Sequence, residues 1–417
     1  MTQQHITSKN LPNLVFKAEL PEEYIKKLPA QTIYLCIKRN GLSSSCDLIN
    51  LLNIEQCRIL LDFDLWHKDE FVEDNFWNWL DLADEDNNFD IIEKIATSMD
   101  LRLVSALIQK YVHFVTFDDA TELPPHAGYY TPDNGHTWIF IHAEDSHKHF
   151  LLGRFLALIF DRDGDLFYQL LAVATQATNS VLVEDAFLDA QKRLQAEGVP
   201  EREYAFNLHQ AISDQEILRI YTSTTQVYDH FKDIPSIQPL IYDSSVCQPL
   251  ADAMKFCKHP SEVESEFTLL MNAAIVHFSV EFYEYEKVYE LAGKIKGALN
   301  IGLESACMLT NQSAEIVLEH LGLQKLYAHG FSKLMELRKK ILSLGADLLE
   351  GLEQESLEFL LLAGIRLPFP ECPECFRRCG EILKSSDGKL VTGFRAIEHL
   401  DEIKKLEEFL IKKQDAC

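Results

Sequence analysis

The chain has 417 residues, of which 65 are Asp or Glu and 39 are Lys or Arg, so its formal net charge is −26. This length predicts two or three domains rather than a single core, and a content of 47% hydrophobic and 25% charged residues excludes wholesale disorder. The negative charge argues against nucleic acid and anionic membranes as partners, because the short basic runs 294–296 and 338–340 lie among acidic residues.

The first ten residues lack the apolar region of a signal peptide. The purest apolar run, 359–365, is far shorter than the ~20 residues that a membrane span needs. The ten cysteines are scattered along the chain, which is typical of reduced thiols. We therefore predict a cytoplasmic protein that does not associate with membranes.

Residues 21–111 predict short amphipathic helices separated by turns rich in Asp and Asn. Pro21, followed by two acidic residues, suits a helix start. Asn53 suits the N-cap of a helix in which Ile54, Cys57 and Leu61 share one face. Such a series is typical of a stacked helical array, although the sequence shows no fixed repeat period.

Two runs of β-branched and aromatic residues, 112–117 and 137–142, predict a small antiparallel β-hairpin element near residues 112–142. The residues 131–136 between Tyr130 and Thr137 include an Asn-Gly pair, which favours a hairpin turn. We expect 127–130 to supply the strand before this turn.

Helical patterns return after residue 145 and again fill the second half of the chain. Residues 222–250 are rich in Ser, Thr and Pro without periodicity, which predicts a linker. We therefore predict a mainly α protein of stacked short helices and a helical bundle. Its domains are an N-terminal helical domain over 1–221, which includes the β element, the linker over 222–250, and a C-terminal helical domain over 251–417.

The segment 62–90 is the sharpest electrostatic feature, because it holds eleven acidic residues and one lysine. Asp62, Asp64 and Asp69 flank Trp66 there. One interpretation is an acidic, aromatic surface that docks a protein partner. The other is structural, with tryptophans anchoring the helices and aspartates capping them. A divalent-cation site is a third interpretation, but the spacing differs from that of an EF-hand loop.

Three histidines, His142, His147 and His149, lie close together in the sequence. They could share a metal ion if the end of the second strand and the start of the next helix converge. Polar positions on a strand end and a helix face explain the same residues without a metal. We call these three residues the histidine cluster.

Cys372, Cys375 and Cys379 have the spacing C-x2-C-x3-C, and His399 and Cys417 are candidates for a fourth zinc ligand. We call the three cysteines the cysteine cluster. The same cysteines also continue an apolar pattern with three- and four-residue intervals, which predicts the buried face of one helix over 369–383. We favour the helix, and we predict no bound metal and no cofactor.

Several segments resemble an uncharacterised bacterial family catalogued only as a domain of unknown function. The resemblance extends over roughly residues 28–410 and is carried by "ILLDFDLWHKDEF" (59–71), "GYYTPDNGHTWIFIH" (128–142), "SEFTLLMNAAIVHF" (265–278), "NIGLESA" (300–306) and "LYAHGFSKLMELRKKI" (326–341). It implies a mostly helical, cytoplasmic protein, and it implies no reaction, substrate or catalytic residue.

The sequence contains no nucleophile elbow, Walker A loop or dinucleotide-binding fingerprint. We therefore predict no catalytic residues and favour a scaffold or regulatory protein that binds another protein through a helical or acidic surface. The candidate surface residues are Asp62, Asp64, Trp66 and Asp69. The alternative is a metal-dependent enzyme or zinc-binding protein that uses the histidine or the cysteine cluster, and small-molecule sensing is a third possibility. The sequence leaves the oligomeric state open.

Overall fold

The computed structural model describes residues 5–85, 89–223, 234–343, 352–378, 381–385 and 389–414. These residues form twenty α-helices and three two-stranded antiparallel sheets. The prediction of a mainly α protein with small β-hairpins is therefore confirmed.

The chain forms two compact units. Within the described residues, the N-terminal unit comprises 6–197 and 281–285, and the C-terminal unit comprises residue 5, 198–280 and 286–414. The predicted linker over 222–250 falls partly on residues 224–233, which lie outside the described residues. The division into domains at that linker stays a prediction.

The N-terminal unit consists mainly of short helices: α1 (Leu11–Phe16), α2 (Pro21–Ile25), α3 (Ala30–Asn40), α4 (Cys46–Asn50), α5 (Ile54–Asp64), α6 (Glu73–Glu85), α7 (Phe89–Ser98), α8 (Leu101–Tyr111), α9 (Ser146–Arg162), α10 (Gly164–Gln176) and α11 (Asn179–Ala196). Asn53 caps α5 as predicted: its side chain accepts from the Gln56 N–H at 2.7 Å, and the Gln56 side chain accepts from the Asn53 N–H. This reciprocal pair fixes where α5 begins.

Two small sheets lie in the N-terminal unit, β1 (Trp66–His67) with β2 (Glu70–Phe71), and β3 (Val112–Thr116) with β4 (Thr137–Ile141). The second pair confirms the predicted hairpin element. Tyr130 forms an isolated bridge with Ile139, so the expected strand over 127–130 is reduced to a single contact. Gly135 has a φ of +99°, and a Cβ there would lie 2.2 Å from the carbonyl oxygen of Thr121, so this turn requires glycine.

The segment 281–285 belongs to the N-terminal unit although it lies between two helices of the C-terminal unit in the sequence. The ring of Phe282 packs against Phe63, with ring centroids 4.9 Å apart. Glu281 pairs with His67 at 3.0 Å. The segment therefore covers the end of α5.

The C-terminal unit is built on longer helices and one small sheet: α12 (Arg202–Leu208), α13 (Asp214–Ser223), α14 (Gln238–Tyr242), α15 (Leu250–Phe256), α16 (Pro260–His277), α17 (Tyr285–Thr310), α18 (Ala314–Ser343), α19 (Leu357–Arg366), β5 (Glu371–Pro373), β6 (Phe394–Ala396) and α20 (Leu400–Gln414). The most deeply buried faces are those of α16, α17 and α18. The unit is therefore a helical bundle around these three helices.

Helices α17 and α18 touch through their backbones. A Cβ on Gly302 would lie 1.9 Å from the carbonyl oxygen of Leu326, and one on Gly330 would lie 1.8 Å from that of Ala298. Only glycine fits at these two positions. Helix α18 also changes direction at Gly322, where φ is 70° and ψ is 170°, a conformation that favours glycine.

The predicted helix over 369–383 is wrong. Cys372 lies in β5, opposite Arg395 of β6, and Phe376 forms a bridge with Ile382. The reason is Pro373, because a proline pushes the residue before it into the extended region. Pro370 acts in the same way on Phe369, and a β-ladder then takes the place of helical hydrogen bonds.

Among the described residues, no single helix is long and apolar enough to cross a membrane. Helices α10 and α11 are long and apolar enough for a membrane span only when they are taken together, and their axes bend by 118° where the two helices meet.

Candidate functional site

The acidic residues that suggested a docking surface are mostly internal. Asp62 is 7% exposed, and Arg193 of α11 binds both its carboxylate oxygens, at 2.6 and 2.8 Å. Burial raises the pKa of Asp62, while the guanidinium opposes that shift. A buried carboxylate needs such a partner, because leaving it unpaired would be strongly unfavourable. Asp62 therefore has a structural role.

Asp64 is 3% exposed and accepts three hydrogen bonds, from Tyr34 Oη, Lys38 Nζ and Trp79 Nε1, each at 2.8 Å. Trp66 is also buried, and its ring packs against Phe187 with centroids 5.2 Å apart.

These positions correct the sequence-based expectation. Of the four residues proposed for the surface, Asp69 alone is exposed, whereas Asp62, Asp64 and Trp66 fill the interior. A docking surface for a protein partner would therefore have to be built around Asp69 and other exposed groups.

The histidine cluster is exposed in all three members. His147 Nε2 lies 2.6 Å from the Asp81 carboxylate of α6. His147 is in the first turn of α9, and its backbone N–H donates to the N-cap residue, Asp145, at 2.7 Å. Within the described ranges, no three His, Cys, Asp or Glu side chains are placed to hold a metal ion. The structure thus does not bring these histidines together around one point.

Cys372 and Cys375 are buried, free thiols. Burial raises the pKa of Cys372 to about 12 and raises that of Cys375 as well, so both thiols are protonated at neutral pH. Cys379 and Cys417 lie outside the described residues. His399 is buried, and its two ring nitrogens bond to other groups: Nδ1 lies 2.7 Å from Glu304 and Nε2 lies 3.2 Å from Arg378.

A different pair of histidines, which no sequence pattern singled out, lies in the C-terminal unit. His209 follows α12, and His277 is the last residue of α16. Their rings stack with centroids 3.9 Å apart and an interplanar angle of 4°. Aromatic side chains enclose this pair. We call the group the stacked-histidine site and define it as Phe206, His209, His277, Phe278, Tyr327 and Phe331.

The hydrogen bonds of His209 fix its tautomer. Nδ1 lies 2.7 Å from the carbonyl oxygen of Ala205, and because a carbonyl oxygen only accepts, Nδ1 carries the proton. Nε2 is then an acceptor, yet it is buried without a partner among the described residues. The pKa of His209 is lowered to about 4, mainly by burial and to a smaller extent by the nearby His277, while the hydrogen bond to Ala205 opposes this shift. The imidazole is therefore neutral at neutral pH.

Tyr327 lies edge-on to His209, with ring centroids 5.2 Å apart. It is fully buried, and no described group bonds to its hydroxyl. Burial raises its pKa well above the ordinary value, so it is a hydrogen-bond donor. Leaving a buried polar group unpaired costs about 1–3 kcal/mol. The site thus holds one unused acceptor and one unused donor.

A cavity of about 420 Å³ adjoins these rings and is lined by Arg202, Glu203, Phe206 and His277. This volume lies within the range of about 300–1,000 Å³ typical of ligand pockets. The Phe206 side chain is 61% exposed at its rim. His277 both lines the cavity and stacks on His209, so the cavity adjoins the ring that covers one face of His209.

A second buried pair, Ser305 and His329, has the spacing of a nucleophile and its base. Ser305 Oγ lies 3.0 Å from His329 Nε2, while His329 Nδ1 lies 3.3 Å from the carbonyl oxygen of Ile212. Both residues are buried between α17 and α18. Because the hydroxyl is closed off from solvent, we assign this pair a structural role.

The family model described as "Family of unknown function (DUF6178)" matches residues 4–378 of the chain. The chain belongs to this family. The resemblance recognised in the sequence is therefore confirmed. No curated protein and no solved structure matches the chain. The matched span contains every residue of the stacked-histidine site and ends before His399 and α20.

Proposed function

We propose that this chain is a regulatory binding protein that recognises a small, neutral, planar molecule at the stacked-histidine site. One observation carries the proposal: His209 Nε2 and Tyr327 Oη, an acceptor and a donor, are both buried and unpartnered among the described residues. A ligand group placed between them would bond to both. The free-energy cost of leaving the two atoms unpaired would then be removed on binding, which favours the bound state.

The two atoms define the chemistry of the ligand. A hydroxyl group can donate to His209 Nε2 and accept from Tyr327 Oη at the same time. The surrounding rings favour an aromatic ligand, since flat rings stack or meet edge to face. A phenol combines both features, so we expect a ligand of the phenol class.

The charges around the site favour a neutral ligand. Burial lowers the pKa of both His209 and His277, so the interior carries no charge at neutral pH. The rim has one residue of each sign, Arg202 and Glu203. An ion entering the ring cluster would lose its hydration without gaining a counter-charge, which is unfavourable.

We propose that a movement of His277 gives the ligand access to His209 Nε2 and Tyr327 Oη. His277 is only partly buried and ends α16. A rotation of its side chain would join the cavity to His209 and Tyr327, and the entering ring would take its place in the stack. The ligand would thereby change the position of a helix-terminal residue, which suits a regulatory role.

The proposal retains the cytoplasmic location and the protein partner expected from the sequence. Exposed Asp69 and exposed aromatic groups such as Phe206 support the partner. A partner that senses the ligand would contact the rim of the site.

The test is a titration of the full chain with phenol, followed by calorimetry and by the histidine ring signals in NMR spectra. We expect saturable binding that weakens about tenfold in Tyr327→Phe and in His209→Gln, the loss expected for one buried hydrogen bond. The unliganded Tyr327→Phe protein should be at least as stable as the wild type, because the removed hydroxyl has no described partner.

His320→Gln is the matched control. His320 Nδ1 also bonds to the carbonyl four residues earlier, Ile316, at 2.8 Å, and its ring lies 5.0 Å from that of Tyr221. It does not line the cavity, so phenol affinity should be unchanged. Phenol binding that is absent, or equally tight in Tyr327→Phe and the wild type, would overturn the proposal.

A further inference from the structure

A second, larger cavity lies in the part of the C-terminal unit that follows β5. It has a volume of about 680 Å³ and is lined by Arg377, Arg378, Glu381, Leu383, Asp401 and Lys405. Three of these side chains are cationic and two are anionic. A local excess of positive charge is unusual in a chain whose formal net charge is −26.

Two of the three cations make no direct ion pair with a carboxylate among the described residues. Arg378 Nε lies 3.1 and 3.0 Å from the two carboxylate oxygens of Asp401. Lys405 Nζ donates to the backbone carbonyl of Arg378, and no carboxylate among the described residues pairs with it. The same holds for the exposed side chain of Arg377. The cavity thus presents three cationic groups beside two carboxylates, and Arg378 alone of the three makes a direct ion pair with one of them, Asp401, among the described residues.

The third cation, Arg378, is held in place by a hydrogen bond to His399. His399 Nδ1 lies 2.7 Å from Glu304 of α17, and since a carboxylate only accepts, this nitrogen carries the proton. Nε2 then accepts from Arg378 Nη1 at 3.2 Å. Glu304 also accepts from the N–H of Leu400 at 2.8 Å. A chain of hydrogen bonds therefore fixes the guanidinium relative to α17 and to the start of α20.

We propose that this cavity binds a compact dianion, namely a phosphate group. A fixed guanidinium offers paired N–H donors that match phosphate oxygens, and an ammonium adds a point charge. Arg377, Arg378 and Lys405 supply these groups from two chain segments. Asp401 competes with the ligand, because its carboxylate occupies the Nε edge of Arg378. This site uses none of the residues of the stacked-histidine site, so it goes beyond the proposed function.

The test uses inorganic phosphate and the full chain at constant ionic strength, with binding measured by calorimetry and ³¹P NMR. Arg377→Ala and Lys405→Ala should each weaken binding about tenfold, the loss expected for one charge-assisted hydrogen bond. Asp401→Asn should strengthen binding several-fold, because it removes the competing carboxylate. A structural role of Asp401 alone predicts no such gain.

Lys404→Ala is the matched control, since Lys404 is an exposed lysine that precedes Lys405 on the same helix and does not line the cavity. Its phosphate affinity should equal that of the wild type. The proposal would be overturned by an equal loss in Lys404→Ala, by weaker binding in Asp401→Asn, or by the lack of saturable phosphate binding. Binding of a short single-stranded RNA without binding of phosphate would also contradict it.

Discussion

Glu266 of α16 accepts a hydrogen bond from the backbone N–H of Leu323 at 2.8 Å, and its other oxygen accepts from that of Gln324 at 2.9 Å. Both donors belong to the turn after Gly322, where α18 resumes. The carboxylate therefore caps the resumed helix from a neighbouring one. Burial raises the pKa of Glu266 to about 7, although the two N–H groups oppose that shift.

This pKa predicts a pH dependence. The folded protein binds the Glu266 proton more tightly than the unfolded chain does, so its contribution to stability falls as pH rises from 4.5 to about 7. Glu266→Gln does not titrate, and its urea midpoint should change less than that of the wild type across this range. Glu55→Gln, at a side chain 71% exposed, should keep the wild-type pH dependence. Identical pH profiles for wild type and Glu266→Gln would contradict this assignment.

The contact between α17 and α18 predicts the effect of adding one methyl group. Gly302→Ala would place a Cβ 1.9 Å from the carbonyl oxygen of Leu326, so we expect the free energy of unfolding to fall by about 1–3 kcal/mol or more. On the same helix, Gly293 has nothing within 4 Å of the added Cβ. Gly293→Ala should be neutral or stabilising by up to about 1 kcal/mol. Urea denaturation compares the two, and equal stabilities would argue against a close helix contact.

The buried ion pair between Asp62 and Arg193 predicts a large effect. Arg193→Ala leaves a buried carboxylate unpaired, so the free energy of unfolding should fall by about 3–5 kcal/mol. The matched control is Arg162→Ala, because Arg162 pairs with Glu93 on the surface, with 61% of its side chain exposed. That change should cost about 0–1 kcal/mol. Thermal and urea unfolding measure the stability of both variants. A small effect of Arg193→Ala would show that the Asp62 carboxylate is hydrated.

Two tyrosines predict opposite outcomes for the same substitution. Tyr34 Oη donates to Asp64 at 2.8 Å, whereas the hydroxyl of Tyr327 has no described partner. Tyr34→Phe should lower the free energy of unfolding by about 1–3 kcal/mol, and Tyr327→Phe should leave it unchanged or raise it. Each variant is measured by urea denaturation without ligand. Destabilisation by Tyr327→Phe would mean that its hydroxyl is already satisfied.

Local signals predicted much of the fold. The Asn53 cap, the strand runs that became β3 and β4 and the alternation of helices and turns all depend on residues close in the sequence. The register from Val112↔Ile141 to Thr116↔Thr137 was not predicted, because the Asn-Gly turn indicated 127–130 as the strand before β4. At Cys372 two local signals disagreed. The proline after it favours an extended conformation, which the structure has, whereas the prediction followed the apolar spacing and gave a helix.

The site residues could not be predicted, because their roles depend on contacts between segments that are distant in the sequence. Such contacts leave no local pattern. Asp62 and Arg193 are 131 positions apart, so the acidic run looked exposed when its counter-charge was unknown. His209 and His277 each occur singly within apolar surroundings, and no spacing rule links them. The tautomer and the unpartnered Nε2 of His209 become visible only when the end of α12 is placed beside α16 and α18.

The segment 281–285 has a practical consequence for anyone who wishes to express the parts separately. A fragment that stops after α11 would lack Phe282, so the Phe63 ring would lose an aromatic neighbour and meet water. Supplying the segment as a short synthetic peptide, or fusing it behind residue 197, would restore that cover. The N-terminal unit thus cannot be obtained by one cut in the chain, because it needs two separate stretches of sequence, 6–197 and 281–285.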